Sequence, residues 1–208
     1  MFNIRKAQNS DFDFIAEAII ESEKSGSNIF PYGMLFDVTE IEFKNLLFQI
    51  FEEEIEGQPW DYQSWLIIET ENGEIAAGLS TWLEGSAGMS SDLLKTQSLG
   101  FVLGEKWHNN TDKLELVSRV NIPRKNETWQ LEHLYTLENH RGKGFMKQLI
   151  EYAVAGKNAE IQLIDNNVAA KKLYEKLGFT VDIKQCEPQI ERLQLLSGPC
   201  KIKMIKNG

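Results

Sequence analysis

The chain of 208 residues contains no run of eighteen apolar residues, so no segment is long enough to cross a bilayer as a helix and no membrane partner is expected. Its opening, Met1-Phe2-Asn3-Ile4-Arg5-Lys6, lacks the apolar core of a secretory signal, and a cytoplasmic location is the expectation. Only two cysteines are present, Cys186 and Cys200; they form neither a CxxC pair nor a disulfide framework, so free thiols are expected. The three histidines and these cysteines show no zinc-ligand spacing, and no metal is expected. No internal repeat or low-complexity tract appears, which leaves one domain over residues 1–208 as the simplest organisation. Basic residues are scarce in one part of the chain. Residues 1–80 hold sixteen Asp and Glu against four Lys and Arg, whereas residues 81–208 hold fifteen against eighteen. A nucleic-acid partner needs a basic face, so the acidic half argues against one and tolerates a cationic small molecule. The same carboxylates, Glu52-Glu53-Glu54 among them, also serve as ordinary solvated helix surface.

What is present is an ordinary globular composition, 42% hydrophobic and 25% charged. Phe2 to Ala7 reads as a strand, and Ser10 caps a helix to Glu23 with Phe14, Ala18 and Ile19 on one face. A loop from Ser25 to Gly33 leads to a second helix from Val38 to Ile55, with Ile41, Leu47, Phe48, Phe51 and Ile55 opposite Glu40, Lys44, Glu52 and Glu56. Trp65 to Thr70 and Glu74 to Trp82 read as a hairpin turning at Asn72-Gly73. Residues 83–127 exceed any hairpin connection, and their scattered apolar residues, Phe101, Val102, Leu103, Trp107, Leu116 and Val120, predict an ordered insertion with short helices near Asp92–Gln97 and Leu114–Arg119. After it come a strand (Trp129 to Leu137), a Gly turn, a helix of apolar period, a strand (Glu160 to Ile164), a helix (Asn166 to Leu177), a strand (Phe179 to Asp182), an excursion (Cys186 to Gly198) and a last strand (Cys200 to Ile205). The alternation predicts an α/β fold on a mixed sheet.

The turn Arg141-Gly142-Lys143-Gly144-Phe145 opens a helix whose first amides have no side-chain shield, a ready seat for phosphate. It is neither a Walker A loop nor a dinucleotide fingerprint. Alone, it also fits a plain tight turn. A second element follows in Asn167-x-x-Ala170-x-x-Leu173-Tyr174-Glu175-Lys176-Leu177-Gly178-Phe179, a helix closed by Gly178.

In these two motifs, in this order, the chain resembles the GNAT superfamily of acyl-CoA-dependent N-acetyltransferases. The resemblance is clear over residues 129–182 and holds in outline over the first 82. It departs at Met146, where the family usually carries Gly or Ala. It implies a mixed, mostly antiparallel central sheet flanked by helices, with the long insertion lying between strands 3 and 4. It also implies acetyl-CoA as cosubstrate, seated on Arg141, Gly142, Lys143, Gly144, Phe145 and Met146 with Asn167 nearby, its acyl arm lying along the main chain of Leu134, Tyr135 and Thr136.

The polyamine-acetylating branch carries its proposed base at the position of Glu132. Strand alternation would set Glu132 on the face of Leu134 and Thr136, and partial burial would raise its pKa and improve it as a base. The alternative is that Glu132 pairs with a basic side chain of the insertion. His133 is then expected on the opposite face as a core histidine, and His140 in an exposed loop. Tyr174 matches the family's proton donor to the departing thiolate and equally suits a helix anchor. The acceptor wall is implied at Asn28, Phe30 and Tyr32, with residues 83–127 as a lid. The expected partner is a small-molecule or peptide amine, cationic in character, bound by a monomer or homodimer. The rival class is a catalytically silent acyl-CoA-binding protein.

Overall fold

The computed structural model describes residues 2–208. Seven strands form one sheet in the order β1-β2-β3-β4-β5-β7-β6. β1 (Asn3–Lys6), β2 (Trp65–Glu69), β3 (Ile75–Leu83) and β4 (Trp129–Thr136) run antiparallel to one another in succession. β4 and β5 (Ala159–Ile164) pair in parallel; β7 (Cys200–Lys206) is antiparallel to both β5 and the edge strand β6 (Thr180–Cys186). The mixed, mostly antiparallel sheet is the one expected. The Trp-Leu-Ile-Ile run of β2 is buried throughout because helices cover both faces of the sheet.

On one face lie α1 (Phe12–Lys24), α2 (Pro31–Phe36) and α3 (Glu40–Glu52). Ile15, Ile19, Phe36, Phe43, Leu47 and Phe51 build the core there around Trp60 and Trp65. α3 starts at a reciprocal Thr39–Glu42 capping box and is shorter than expected. Its buried stripe is Phe43, Leu47, Ile50 and Phe51; Ile41, assigned to that stripe from sequence, is 76% exposed. Asp11, not Ser10, stands at the start of α1, after a short 3₁₀ turn. On the other face, α7 (Phe145–Val154) and α8 (Val168–Lys176) cover Leu131, Ile161, Ile202 and Met204.

The insertion is helical, in α4 (Ser91–Leu103), α5 (Glu105–His108) and α6 (Thr111–Ser118). It leaves and returns through paired backbone bonds between Glu84 and residues Glu127 and Thr128. The buried Glu84 carboxylate accepts from Trp82 Nε1 and from the Ser91 amide and hydroxyl, pinning the first turn of α4. Leu99, Leu103, Leu116 and Val120 join the core beneath α1 and α3. The segment is thus ordered, as its apolar residues predict.

Two expectations are corrected. Cys186 and Cys200 are joined in a disulfide, not free. The excursion through α9 (Pro188–Arg192) returns the chain so that the two cysteines face each other in the β6–β7 ladder, which their spacing of 14 does not reveal. His140 is buried, not exposed: the turn after β4 tucks it against Phe145, with ring centroids 5.8 Å apart.

One irregularity positions everything that follows. Gly78 faces Tyr135 and Ser80 faces Glu132, so Leu79 opposes both His133 and Leu134. This is a β-bulge, with His133 at φ +53°. β4 pairs with β5 only from Trp129 to Leu131; beyond it the two parallel strands separate. The gap between them is the floor of a cleft.

Candidate active site

The cleft holds about 1440 Å³ and runs between the start of α7, the open edge of β4 and the insertion. One end is built from backbone. Gly142 (φ +75°) and Gly144 (φ +84°) occupy left-handed conformations that aim the chain into α7. The amides of Gly142 to Lys147 find no backbone acceptor among the described residues, and no side chain caps the helix. Unpaired amides at a helix start favour an anion. Arg141 donates from Nε to the Thr136 carbonyl at 3.2 Å, tying the turn to β4. Met146, in the first turn of α7, lines the cleft and also packs against the core. Lys143 does not line the cleft.

Asn167 reaches this wall as the N-cap of α8: its Oδ1 accepts from the Ala170 amide (3.2 Å) and its Nδ2 donates to Ser25 Oγ (3.2 Å). That second bond ties the end of α1 to the start of α8. Tyr174 is buried and lines the cleft, and its hydroxyl has no protein partner among the described residues; burial pushes its pKa up, keeping it protonated.

The other end is built from charge. The bulge overturns the expected alternation: Glu132 and His133 both turn to the α1 side, whereas Leu134 packs with α7. His133 is the core histidine expected, but it shares the face of Glu132 instead of lying opposite it. Trp60 Nε1 donates to its Nε2 at 3.0 Å, so its Nδ1 carries the proton and donates to Ser22 Oγ at 2.9 Å, while the Ser22 hydroxyl donates to the Ile19 carbonyl. Trp65 stacks on the ring at 6.2 Å. Burial in this apolar setting lowers the imidazole pKa to about 4 despite the nearby Glu132 and leaves it neutral.

Glu132 accepts from Lys95 Nζ at 3.3 Å and pairs with the Arg124 guanidinium. Burial alone would raise its pKa, as expected from sequence; Lys95 and Arg124 outweigh burial and hold the carboxyl well below its ordinary range. The pairing with basic residues of the insertion is therefore the arrangement found. Lys95 is shared with Glu23 (3.3 Å) and lies 4.7 Å from the Trp60 ring centroid. Arg124 is shared with Asp92 and lies over Trp82. Glu23 also accepts from the Tyr32 hydroxyl at 3.1 Å. Glu23, Glu132 and His133 each bring a ligand atom within 4.8 Å of the others. The Lys95 ammonium already bridges the carboxylates, and His133 Nε2 is engaged by Trp60.

Of the acceptor wall expected from sequence, Tyr32 lines the cleft and Asn28 and Phe30 do not; Phe30 packs instead against Tyr32 and Phe43. Sequence reading missed Glu23, Lys95, Arg124 and Lys201, which come from four separate segments. The insertion's basic residues were the only available signal, and nothing in their spacing singled out these two.

A bulged fourth strand thus splays from the fifth beside a bare amide row at the following helix, and one cleft joins that row to the charged end. Comparison with known proteins finds that the acetyltransferase (GNAT) domain family matches residues 97–181 of this chain. A streptothricin acetyltransferase from Escherichia coli is 38% identical over 79 aligned positions, covering 32% of this chain and 42% of that protein, so the match spans less than half of the curated relative. Among solved structures, an N-acetyltransferase from Staphylococcus aureus superposes with a TM-score of 0.60 at 18% identity, over 98% of this chain and 100% of its own. A histone acetyltransferase HPA2-related protein from Corynebacterium glutamicum gives 0.61 at 16%, over 99% and 96%. At such identities the likeness is one of fold.

Proposed function

We propose that the protein transfers the acetyl group of acetyl-CoA to a primary amine by direct attack within a ternary complex. The observation that carries this reading is the continuity of the cleft from the bare amides of Gly142–Lys147, along the unpaired edge of β4, to the charged end at Glu132. The amide row would hold the diphosphate, and main-chain groups of Leu134, Tyr135 and Thr136 would align the acyl arm and polarise its carbonyl. Acetyl-CoA supplies the activated thioester. With both cysteines joined in the disulfide, no free thiol is available for an acyl-enzyme, which favours direct attack.

A carboxylate held ionised by two cations is a weak proton acceptor, so Glu132 is assigned the attraction and orientation of the acceptor ammonium; the ammonium gives its proton to solvent water before the neutral amine attacks, and the N–H proton released as the C–S bond breaks replaces, through water, the one that Tyr174 gives to the thiolate. The Tyr174 hydroxyl, with no other partner, would donate to the departing thiolate. Calorimetric titration with acetyl-CoA, followed by thiol release over a panel of amines, tests the whole reading. Binding with amine-dependent thiol release is expected. Binding without release from any amine would leave only a silent acyl-CoA-binding protein, and no binding would remove the family's chemistry altogether. Tyr174→Phe should lower kcat about tenfold or more with little change in the KM for acetyl-CoA.

A further inference from the structure

The charged end of the cleft has an imbalance that its internal pairs leave unresolved. Glu23, Asp92 and Glu132 contribute three carboxylates, and Lys95 and Arg124 bridge them in one chain of contacts. That chain retains one negative charge. Lys201 lines the same end from β7, and its ammonium makes no side-chain hydrogen bond or ion pair among the described residues. It lies on the face of β7 opposite the buried Ile202 and Met204, toward the insertion. The charges that act on it most are those of Arg124, Glu132, Lys95 and Asp92, and it acts in turn on Glu23, which places it at the acceptor end of the cleft. Burial without a direct partner lowers its pKa.

A second unpartnered group stands beside it. Gln162 follows the last β5 residue paired with β4, and Lys203, its partner in the β5–β7 ladder, is two residues from Lys201 on the same face. Gln162 Nε2 donates to the Ile122 carbonyl at 2.8 Å, which leaves its Oε1 buried with no donor. A lone cation without a carboxylate, a lone carbonyl without an N–H and a chain with one surplus negative charge are complementary to a single kind of small molecule. Its ammonium would satisfy Gln162 Oε1 and the surplus charge at Glu132, and its anion would satisfy Lys201.

We infer that the acceptor is zwitterionic, an amine bearing a carboxylate, and that Lys201 binds the carboxylate while Gln162 and Glu132 receive the amine. This rests on the transferase reading and narrows the acceptor from a cationic amine to an amino-acid-like one.

The test measures acetyl transfer to the L-α-amino acids as free acids and as their carboxamides, with cadaverine and spermidine as carboxylate-free amines. The best free acid should exceed its carboxamide at least tenfold in kcat/KM. Lys201→Met should reduce kcat/KM for that acid about 30-fold, mainly through KM, while the best carboxylate-free amine loses nothing and gains if anything, since a cation opposing its ammonium is gone. Lys201→Arg should restore most of the loss. Turnover of carboxamides or polyamines at rates equal to or above those of the acids would overturn the inference and leave the transferase reading standing. An equal loss on all amines in Lys201→Met would overturn it too. Absence of transfer to every amine would instead overturn the transferase reading, and the inference with it.

Discussion

At one end of the cleft the groups facing a ligand are main-chain amides from consecutive residues, Gly142 to Lys147; at the other they are side chains from α1, α4, the end of the insertion, β4 and β7. The first end uses atoms that every residue carries, so it depends on backbone conformation and is compact in sequence. The second uses the identity and charge of residues up to 178 positions apart, Glu23 to Lys201, and exists only when the whole sheet and insertion are assembled. The two should therefore fail differently. Damage to the charged end should cost folding stability, because buried charges left alone are expensive. Damage to the amide end should cost binding and little else.

The largest effect belongs to Arg124, whose side chain is 6% exposed and serves both Glu132 and Asp92. Arg124→Met leaves Glu132 with Lys95 as its one cation and Asp92 without an ion pair, and should lower stability by about 3 kcal/mol, read from the denaturant midpoint. Adding Glu132→Gln to the same chain removes one under-paired carboxylate and should recover part of that loss. A single-variant loss below about 1 kcal/mol, the scale of a surface pair, would show that solvent screens this end and would erase the contrast.

His133 gives a pH-dependent version of the same point. Its folded pKa, about 4, lies below its ordinary value of 6.5, so the unfolded chain takes up a proton that the folded chain refuses. The stability it contributes is complete above pH 6.5 and is lost as pH falls toward 4. Between pH 7 and 4.5 the loss from this group should be about 2–3 kcal/mol. Glu132, with a depressed carboxyl pKa, acts later: its contribution persists through this window and is lost only below the ordinary carboxylate range. His133→Asn keeps a residue tolerant of φ +53° and removes the titration, so its stability should be flatter between pH 6.5 and 4.5. An unchanged slope would assign the acid sensitivity elsewhere.

The same division explains what could be read from the sequence. The succession of strands and helices along the chain, the insertion, the Gly turn and the Asn167–Phe179 helix were legible because each is encoded by local pattern: period, punctuation and caps. The charged end was legible only as Glu132. Its partners are set by long-range packing, and the bulge that turns Glu132 and His133 to one side breaks the two-residue period on which the facing argument relied. The disulfide was hidden for a related reason, since the register of β6 on β7, not the spacing of the cysteines, brings them together. His140 was misplaced because a loop residue after a strand was taken as solvent-facing, whereas Phe145 at the start of α7 covers it.

The smallest effect should come from the amide end. Gly144 stands at φ +84° at the start of α7, and a Cβ there would meet nothing closer than Gln148 Nε2 at 4.0 Å. Any cost of a side chain is thus conformational and not steric. An L-residue other than Gly pays about 1–2 kcal/mol in this region, and the turn can escape the strain by rotating its amides out of line. Gly144→Ala should therefore raise the Kd for acetyl-CoA about tenfold. Gly144→Asn, better suited to the left-handed region, should raise it less. Neither should alter the order in which amines are preferred, because acceptor recognition lies at the other end of the cleft. If Gly144→Ala changed that order, the two ends would be coupled through β4, with Arg141 on the Thr136 carbonyl as the connecting bond.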